Sequence, residues 1–236
     1  MFTLFFVEDL PTSVGAEYEF DNDDANHAIR VLRTQVDDQF MLSDGNGAWS
    51  KVKATAIKKK SMTVQVLETG FQEPLATRIT VVQAIPKGDR SKEAIELLTE
   101  AGVDRIVPWL ATRSIGKTSE KFQITAREAS KQSRRFRIPE VTGVAQSAQV
   151  CDAIRLSDLA IVFHESAVTK LSDQISSHNV ENLLIIIGPE GGITDQELEA
   201  FKDAGAKVAL MGRPILRSAH AGIAAVSAVS ALLKVW

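Results

Sequence analysis

The run Leu183-Leu184-Ile185-Ile186-Ile187 contains no polar residue. Successive side chains of a strand point to opposite faces, so a strand built from this run is apolar on both sides. It therefore needs cover on both sides, which is the environment at the centre of a parallel sheet flanked by helices. The chain after residue 74 agrees with this. Its patterning predicts strands at Ile79–Ile85, Arg105–Leu110, Leu159–Phe163 and Lys207–Met211. It predicts helices at Ser91–Ala101, Ile124–Phe136, Asp195–Ala204 and Ala219–Trp236. Alternating strands and helices imply an α/β domain. The last stretch, rich in Ala, Ser and Val, is too short and too weakly apolar for a membrane span and reads as a buried helix.

The first third reads differently. Phe2–Val7, Gln39–Ser43, Trp49–Ile57 and Met62–Glu68 have strand composition, and Asp44-Gly45-Asn46-Gly47 is a hairpin signal between two of them. One helix is expected at Asp23–Arg33, capped by Asp23 or Asp24. Thr69 to Pro74 reads as a linker, because it holds both Gly70 and Pro74. The expected division is a β-rich domain over 1–72 and an α/β domain over 74–236.

The net charge of −3 argues by itself against nucleic acid, but its distribution does not. Seven acids and no Lys or Arg fall between Glu8 and Asp24, whereas five Lys and no acid fall between Lys51 and Lys60. Five basic residues stand against one Glu between Arg127 and Arg137. Phosphate responds to the local field, so an acidic chain can carry basic patches that grip RNA; solvated surface is the plainer reading of any single cluster. Arg127, Lys131, Arg134 and Arg135 recur at spacings of three and four, which places them on one helix face. Cys151 is the one cysteine, no zinc spacing exists, and a buried thiol in a reducing compartment is expected. Met1–Val7 is short and lacks a basic start, so it does not read as a signal peptide.

The sharpest local feature is Gly188-Pro189-Glu190-Gly191-Gly192-Ile193-Thr194, directly after the apolar strand. Thr194 is placed to cap the following helix. Ligands of open α/β sheets sit outside the carboxyl ends of the strands, where glycines let the backbone approach them closely. The loop has neither the Lys-Ser/Thr of a phosphate loop nor a dinucleotide glycine fingerprint. A nicotinamide enzyme is therefore disfavoured, and a tight strand-to-helix turn remains the bland alternative. A second such element, Leu210 to Ala221, follows the next strand, and the two loops can form opposite walls of one cleft.

These residues carry a resemblance. A Gly188–Thr194 loop followed by Leu210-Met211-Gly212-Arg213-Pro214-Ile215-Leu216-Arg217 resembles the paired cofactor loops of the RsmE family, which methylates N3 of a uridine in 16S ribosomal RNA. Further motifs in the same order match along nearly the whole chain. They are His27 with Val31-Leu32-Arg33, Asp44-Gly45, Pro86-Lys87-Gly88-Asp89-Arg90 and Glu100-Ala101-Gly102-Val103, then Arg113-Ser114. Glu128-Ala129, Gln132-Ser133, Arg135 and Pro139 complete the series. Two departures stand out. Where the family often reads Arg-Thr-Glu-Thr-Ala, this chain has Arg217-Ser218-Ala219-His220-Ala221, and Arg213-Pro214 inverts the usual order.

The resemblance implies a SPOUT-type parallel sheet with a deep trefoil knot, preceded by a small PUA-like β-barrel. It implies S-adenosyl-L-methionine as cofactor, no metal, ribosomal RNA or the small subunit as partner, a homodimer, and a cytoplasmic setting. The expected cofactor contacts are Phe163, His164, Glu165, Ile187, Gly188, Pro189, Glu190, Gly191, Leu210, Met211, Gly212, Ile215 and Leu216. A branched side chain at Gly191 is expected to occupy the ligand's space. RNA contacts are expected from His27, Arg30, Arg33, Lys58, Lys59, Lys60, Lys87, Arg90, Arg134 and Arg135. Removing the N3 proton spreads charge onto the uracil oxygens, and a guanidinium offers two parallel donors to them, so Arg217 is the catalytic candidate. A structural arginine is the other reading of that residue. His220 could act as a base near neutral pH, although the family does not usually place His there. Ile223, Val226, Val229 and Leu233 are expected to form the dimer face. The functional alternatives are a ribose 2′-O methyltransferase of the same fold and a noncatalytic RNA-binding protein.

Overall fold

The computed structural model describes residues 2–175 and 179–235. The chain forms two compact units: residues 1–74 with 130–138, and residues 75–129 with 139–236. They are called the small unit and the sheet unit below.

The small unit contains β1 (Leu4–Phe6), β2 (Glu17–Phe20), α1 (Asp23–Arg30), β3 (Gln39–Ser43), β4 (Ala48–Ile57) and β5 (Met62–Phe71). The sheet order is β1-β3-β4-β5-β2, antiparallel except for the β1–β3 pair. It curls round one core in which the rings of Phe5, Phe20 and Phe40 meet at 5.4 to 5.9 Å. Two register shifts between β4 and β5 add the local bend that such curling needs. In the β3–β4 turn, Asp44 Oδ1 accepts hydrogen bonds from the amides of Asn46 and Ala48, and Gly45 and Gly47 take positive φ.

Three local expectations change here. β2 is not among the expected strands; Glu17-Tyr18-Glu19-Phe20 alternates over only four residues, with Phe20 buried, and pairs with β5. The cap of α1 is Asn22, whose side chain accepts from the Ala25 amide. Asp24 is instead buried, 2.7 Å from Lys131 Nζ, and accepts from the Phe6 amide. The expected linker is strand as far as Phe71, because Gly70 leaves room for the Trp49 indole to lie against the backbone. Residues 130–138 complete the unit: Phe136 stacks on Trp49 at 5.7 Å, and Arg137 Nε donates to the Gln72 carbonyl at 2.9 Å.

The sheet unit runs β6 (Arg78–Ala84), α2 (Arg90–Glu100), β7 (Arg105–Trp109), α3 (Phe122–Ser133), β8 (Glu140–Val141) and α4 (Ser147–Arg155). It continues with β9 (Leu159–Phe163), α5 (Leu171–Gln174), β10 (Asn182–Ile187), α6 (Asp195–Asp203), β11 (Lys207–Ala209) and α7 (Ser218–Leu233). All six strands are parallel, in the order β11-β9-β10-β6-β7-β8. β10 lies inside the sheet and both of its faces are covered. Ile185 and Ile187 enter one core with α2 and α7, and Leu184 and Ile186 enter the other with α4 and α6.

Two helix expectations also change. α3 stops at Ser133, and Arg134 takes φ 57°, so Arg134 and Arg135 leave the helix and the four basic residues do not share its face. Val226, Val229 and Leu233 of α7 are buried in the chain's own core, with Ile223 packed against it; they are not a free surface for a second copy. Trp236 and the segment 176–178 lie outside the described residues. Among the described residues no helix is long and apolar enough to cross a membrane.

Candidate active site

Parallel strands end together, so β9, β10 and β11 bring three loops to one edge of the sheet. Phe163 pairs with Ala209, and Ile186 pairs with Val162. The segments 163–165, 187–193 and 210–218 then enclose a cleft of about 560 Å³. Every residue expected to hold the cofactor lines it except Gly191, and Arg217 lines it as well. A side chain at Gly191 would meet Arg113, at 3.0 Å from its Cβ, rather than the cleft. Gly188 does line the cleft, and a side chain there would run into Ile193 at 2.7 Å.

The walls are mostly apolar side chain and loop backbone. Ile215 is 80% exposed and Leu216 is 41% exposed. Among the described residues, no backbone N–H from Met211 to Leu216 has a hydrogen-bond partner within the chain. Unpaired backbone groups beside uncovered apolar side chains suit a ligand that is part flat ring and part polar chain. A nucleoside joined to an amino acid has that character, and the volume is within the usual range of small-molecule sites.

The loops are held from behind. Glu197, on the first turn of α6, is buried and accepts from the Thr112 amide and hydroxyl, the Ser147 hydroxyl, and the Thr194 amide and hydroxyl. Burial pushes its carboxyl up, but these hydrogen bonds outweigh burial and hold it below the ordinary range. Arg113 Nη1 donates to the Gly191 carbonyl at 3.0 Å. Ser218 Oγ donates to the Gly188 carbonyl at 2.8 Å and accepts from Gln83 Nε2 at 3.0 Å. Sequence reading missed Gln83, Arg113 as a loop anchor, and Glu197. A polar Gln at the end of the apolar strand β6 was the available signal for the first.

The remaining candidates are placed as follows. Arg217 is the residue before α7. Its carbonyl accepts from the His220 and Ala221 amides, and its side chain makes no hydrogen bond or ion pair among the described residues. His220 does not line the cleft; its Nε2 lies 3.0 Å from Glu93 Oε1 on α2. His164 does line it, with Nδ1 turned back to Ser166 at 2.8 Å. Glu190 lies 3.8 Å from Arg90, and its Oε1 accepts from the Lys87 amide at 3.4 Å, so both basic residues sit beside the glycine loop. Cys151 is buried, burial pushes its thiol up, and Sγ donates to the Ala200 carbonyl. No group of three or more His, Cys, Asp and Glu that could hold a metal is found among the described residues.

In the small unit, His27 and Arg30 are on the exposed side of α1, Arg33 follows at φ 57°, and Lys58–Lys60 form the β4–β5 turn. Lys58 is paired with Glu19 at 2.8 Å, and this contact with Ser61 and Thr63 lowers the Glu19 pKa. Lys131 is paired with Asp24, both largely buried.

Residues 73–230 match the RNA methyltransferase domain family, and residues 20–67 match the RNA methyltransferase PUA domain. The ribosomal RNA small subunit methyltransferase E of Mycobacterium bovis is 35% identical, over 99% of this chain and 93% of that protein. The protein of the same name from Bacillus subtilis is 27% identical, over 95% and 91%. The solved structure of the Neisseria gonorrhoeae enzyme of that name, bound to S-adenosyl methionine, has a TM-score of 0.89 at 26% identity, covering 98% of both chains. A probable rRNA-methyltransferase from Porphyromonas gingivalis gives 0.83 at 28% identity, covering 99% of both. Fold and cleft together define an RNA methyltransferase. Within that class, the chain belongs to the ribosomal RNA small subunit methyltransferase E family.

Proposed function

We propose that the cleft holds S-adenosyl-L-methionine and that the protein methylates N3 of a uridine in the 16S ribosomal RNA of the small subunit. The observation that carries this reading is the cleft itself: three loops at the strand ends, with unpaired backbone groups and uncovered apolar side chains. When bound, the cofactor supplies a methyl group on a sulfonium, open to in-line displacement.

The chain's own residues do the rest. The backbone of 210–216 and the Gly188–Pro189 turn, with apolar Ile187, Leu210 and Ile215, line the cleft and would hold the donor. Much of the rate comes from this holding of donor and acceptor in line. N3 is on the pairing edge of uracil, so the base has to be unpaired or flipped out to reach the cleft. Arg217, unpaired and lining the cleft, stabilises the charge that develops on the uracil oxygens as the N3 proton leaves. His27, Arg30, Arg33, Lys59, Lys60, Arg134 and Arg135 of the small unit, with Lys87 and Arg90 of the sheet unit, provide RNA contacts.

The reading extends to a deep trefoil knot in the sheet unit, a cytoplasmic site of action, and a homodimer. The side of α7 that carries Ala224, Ala231 and Leu232 supports pairing by close approach of small residues. Light scattering at micromolar protein is expected to return the mass of two chains.

The deciding experiment is incubation with labelled S-adenosylmethionine and small-subunit RNA, followed by mass spectrometry of the digested nucleosides. The expected product is 3-methyluridine. A ribose-methylated nucleoside would assign the 2′-O reading, and no product in the presence of bound cofactor would assign a noncatalytic RNA-binding role.

A further inference from the structure

Gln83 is a polar side chain at the end of an interior strand, and it is 0% exposed. Burying an amide costs free energy unless its groups are hydrogen-bonded. Its Nε2 has two hydrogens and both are used: one goes to the Ala84 carbonyl and one to Ser218 Oγ, each at 3.0 Å. The Ser218 hydroxyl hydrogen then goes to the Gly188 carbonyl at 2.8 Å. Both ends of this relay are carbonyl oxygens, which only accept, so its direction is fixed. Gln83 Oε1 is left buried without a partner among the described residues. It occupies the space a side chain at Gly222 would need, 3.3 Å from that Cβ position. The chain tolerates an orphaned acceptor while one donor is held by the Ala84 carbonyl and the other is aimed at Ser218.

The relay joins three pieces of the cleft. Gln83 is the penultimate residue of β6, Gly188 opens the glycine loop after β10, and Ser218 is the first residue of α7, adjoining Arg217. None of the other bonds to the 210–218 loop described above reaches the glycine loop. We propose that Gln83 and Ser218 are positioning residues for methyl transfer: their relay fixes the Gly188 carbonyl and the start of α7, and so sets where Arg217 points across the cleft. This rests on the reading of the cleft and of Arg217 given above. It also gives a role to the hydroxyl at residue 218, which the family's usual threonine would keep, since it both accepts from Gln83 and donates to Gly188.

The test uses the full-length protein and the variants Ser218→Ala, Ser218→Thr, Arg217→Ala and the double variant Arg217→Ala/Ser218→Ala. Single-turnover rate, S-adenosylmethionine affinity by calorimetry, melting temperature, and amide exchange in the ligand-free protein are read for each. Ser218→Ala is expected to lower the rate by about tenfold, the scale of one lost buried hydrogen bond. It is also expected to speed exchange of the Gly192, His220 and Ala221 amides, whose acceptors lie in the two joined segments. Ser218→Thr is expected to recover most of both losses. In the Arg217→Ala background, Ser218→Ala is expected to cost little further rate, because the two act as one unit. Equal losses in both backgrounds, or failure of threonine to restore what alanine removes, would overturn the proposal. If Arg217→Ala keeps the wild-type rate, the reading of Arg217 fails instead. The relay is then judged on loop exchange and donor affinity, and wild-type values of both in Ser218→Ala would overturn it.

Discussion

The loops at the strand ends of the sheet unit and the charged turns of the small unit are both polar surface, but they have been left in different states. From Met211 to Leu216 the backbone donors have no partner among the described residues, and the Ile215 and Leu216 side chains are uncovered. In the small unit, much of the basic charge is already matched from within: Lys58 by Glu19, Lys53 by Asp37 at 3.4 Å, and Lys131 by Asp24. An unsatisfied group keeps its interaction energy for a ligand. A paired charge has to break its own contact first, and contributes only the difference. The comparison teaches that a count of lysines overstates what the small unit can offer to phosphate. The side chains of Arg30, Arg33, Lys59 and Lys60, which have no ion-pair partner among the described residues, are the ones to watch.

The most damaging test of the open side is Gly188→Val. Its side chain would collide with Ile193 and displace the carbonyl held by Ser218, so binding of S-adenosylmethionine is expected to be lost by calorimetry while the protein stays folded by circular dichroism. Gly191→Val should weaken binding less, because its side chain meets Arg113 outside the cleft. Wild-type affinity in Gly188→Val would place the donor elsewhere.

Arg217→Ala comes next. The single-turnover rate should fall by roughly a hundredfold, the scale seen when one donor to a developing oxyanion is removed. Cofactor affinity should change little, and Arg217→Lys should rescue poorly, because a point charge lacks the two parallel donors. A large loss of cofactor binding would make it a residue of the pocket wall instead.

A smaller effect is expected from acid. The Glu197 carboxyl is lower in the folded chain than in the unfolded one, so it contributes stability above its unfolded pKa. That stability is lost as pH falls through the folded pKa. Thermal melts from neutral to acid pH should therefore show a steeper decline for the wild type than for Glu197→Gln. Parallel curves would mean that the cage around Glu197 does not sense its charge.

The smallest effect addresses the matched side. Neutralising Lys59 and Lys60 should reduce the salt slope of RNA binding by roughly one unit per lost phosphate contact. Neutralising Lys58 should reduce it less, since Glu19 already holds that charge. Equal reductions from all three would dissolve the distinction between paired and unpaired lysines.

The sheet unit was easier to read in advance than the small one, and the reasons are physical. The apolar run at 183–187 admits few environments, and glycines after it mark a loop whose place at the strand end follows from the parallel sheet. β2 is easily overlooked, because the alternation of Glu17-Tyr18-Glu19-Phe20 runs for only four residues and is fixed as a strand by β5. The partnership of Lys131 with Asp24 joins residues far apart in sequence, so periodicity cannot reveal it. α7 misled for a related reason: apolar spacing identifies a buried face without saying whether the chain or a second copy buries it. Gln83 carried a signal in plain sight, a polar residue closing an apolar strand, but its meaning depends on Ser218 and Gly188 arriving from later strands.

The small unit borrows residues 130–138 from the middle of the chain, and this bears on how the protein is made. When residue 74 leaves the ribosome, Trp49 has no Phe136 to stack on and Asp24 has no lysine. At about 5–20 residues per second, the missing piece follows several seconds later, after much of the sheet unit's first half. During that interval the nascent sheet exposes the aromatic surface of Trp49, the kind of surface that holding chaperones recognise. The same borrowing makes the gene indivisible at the apparent boundary: cutting at residue 74 would strand 130–138 on the sheet-unit fragment and leave the small unit incomplete.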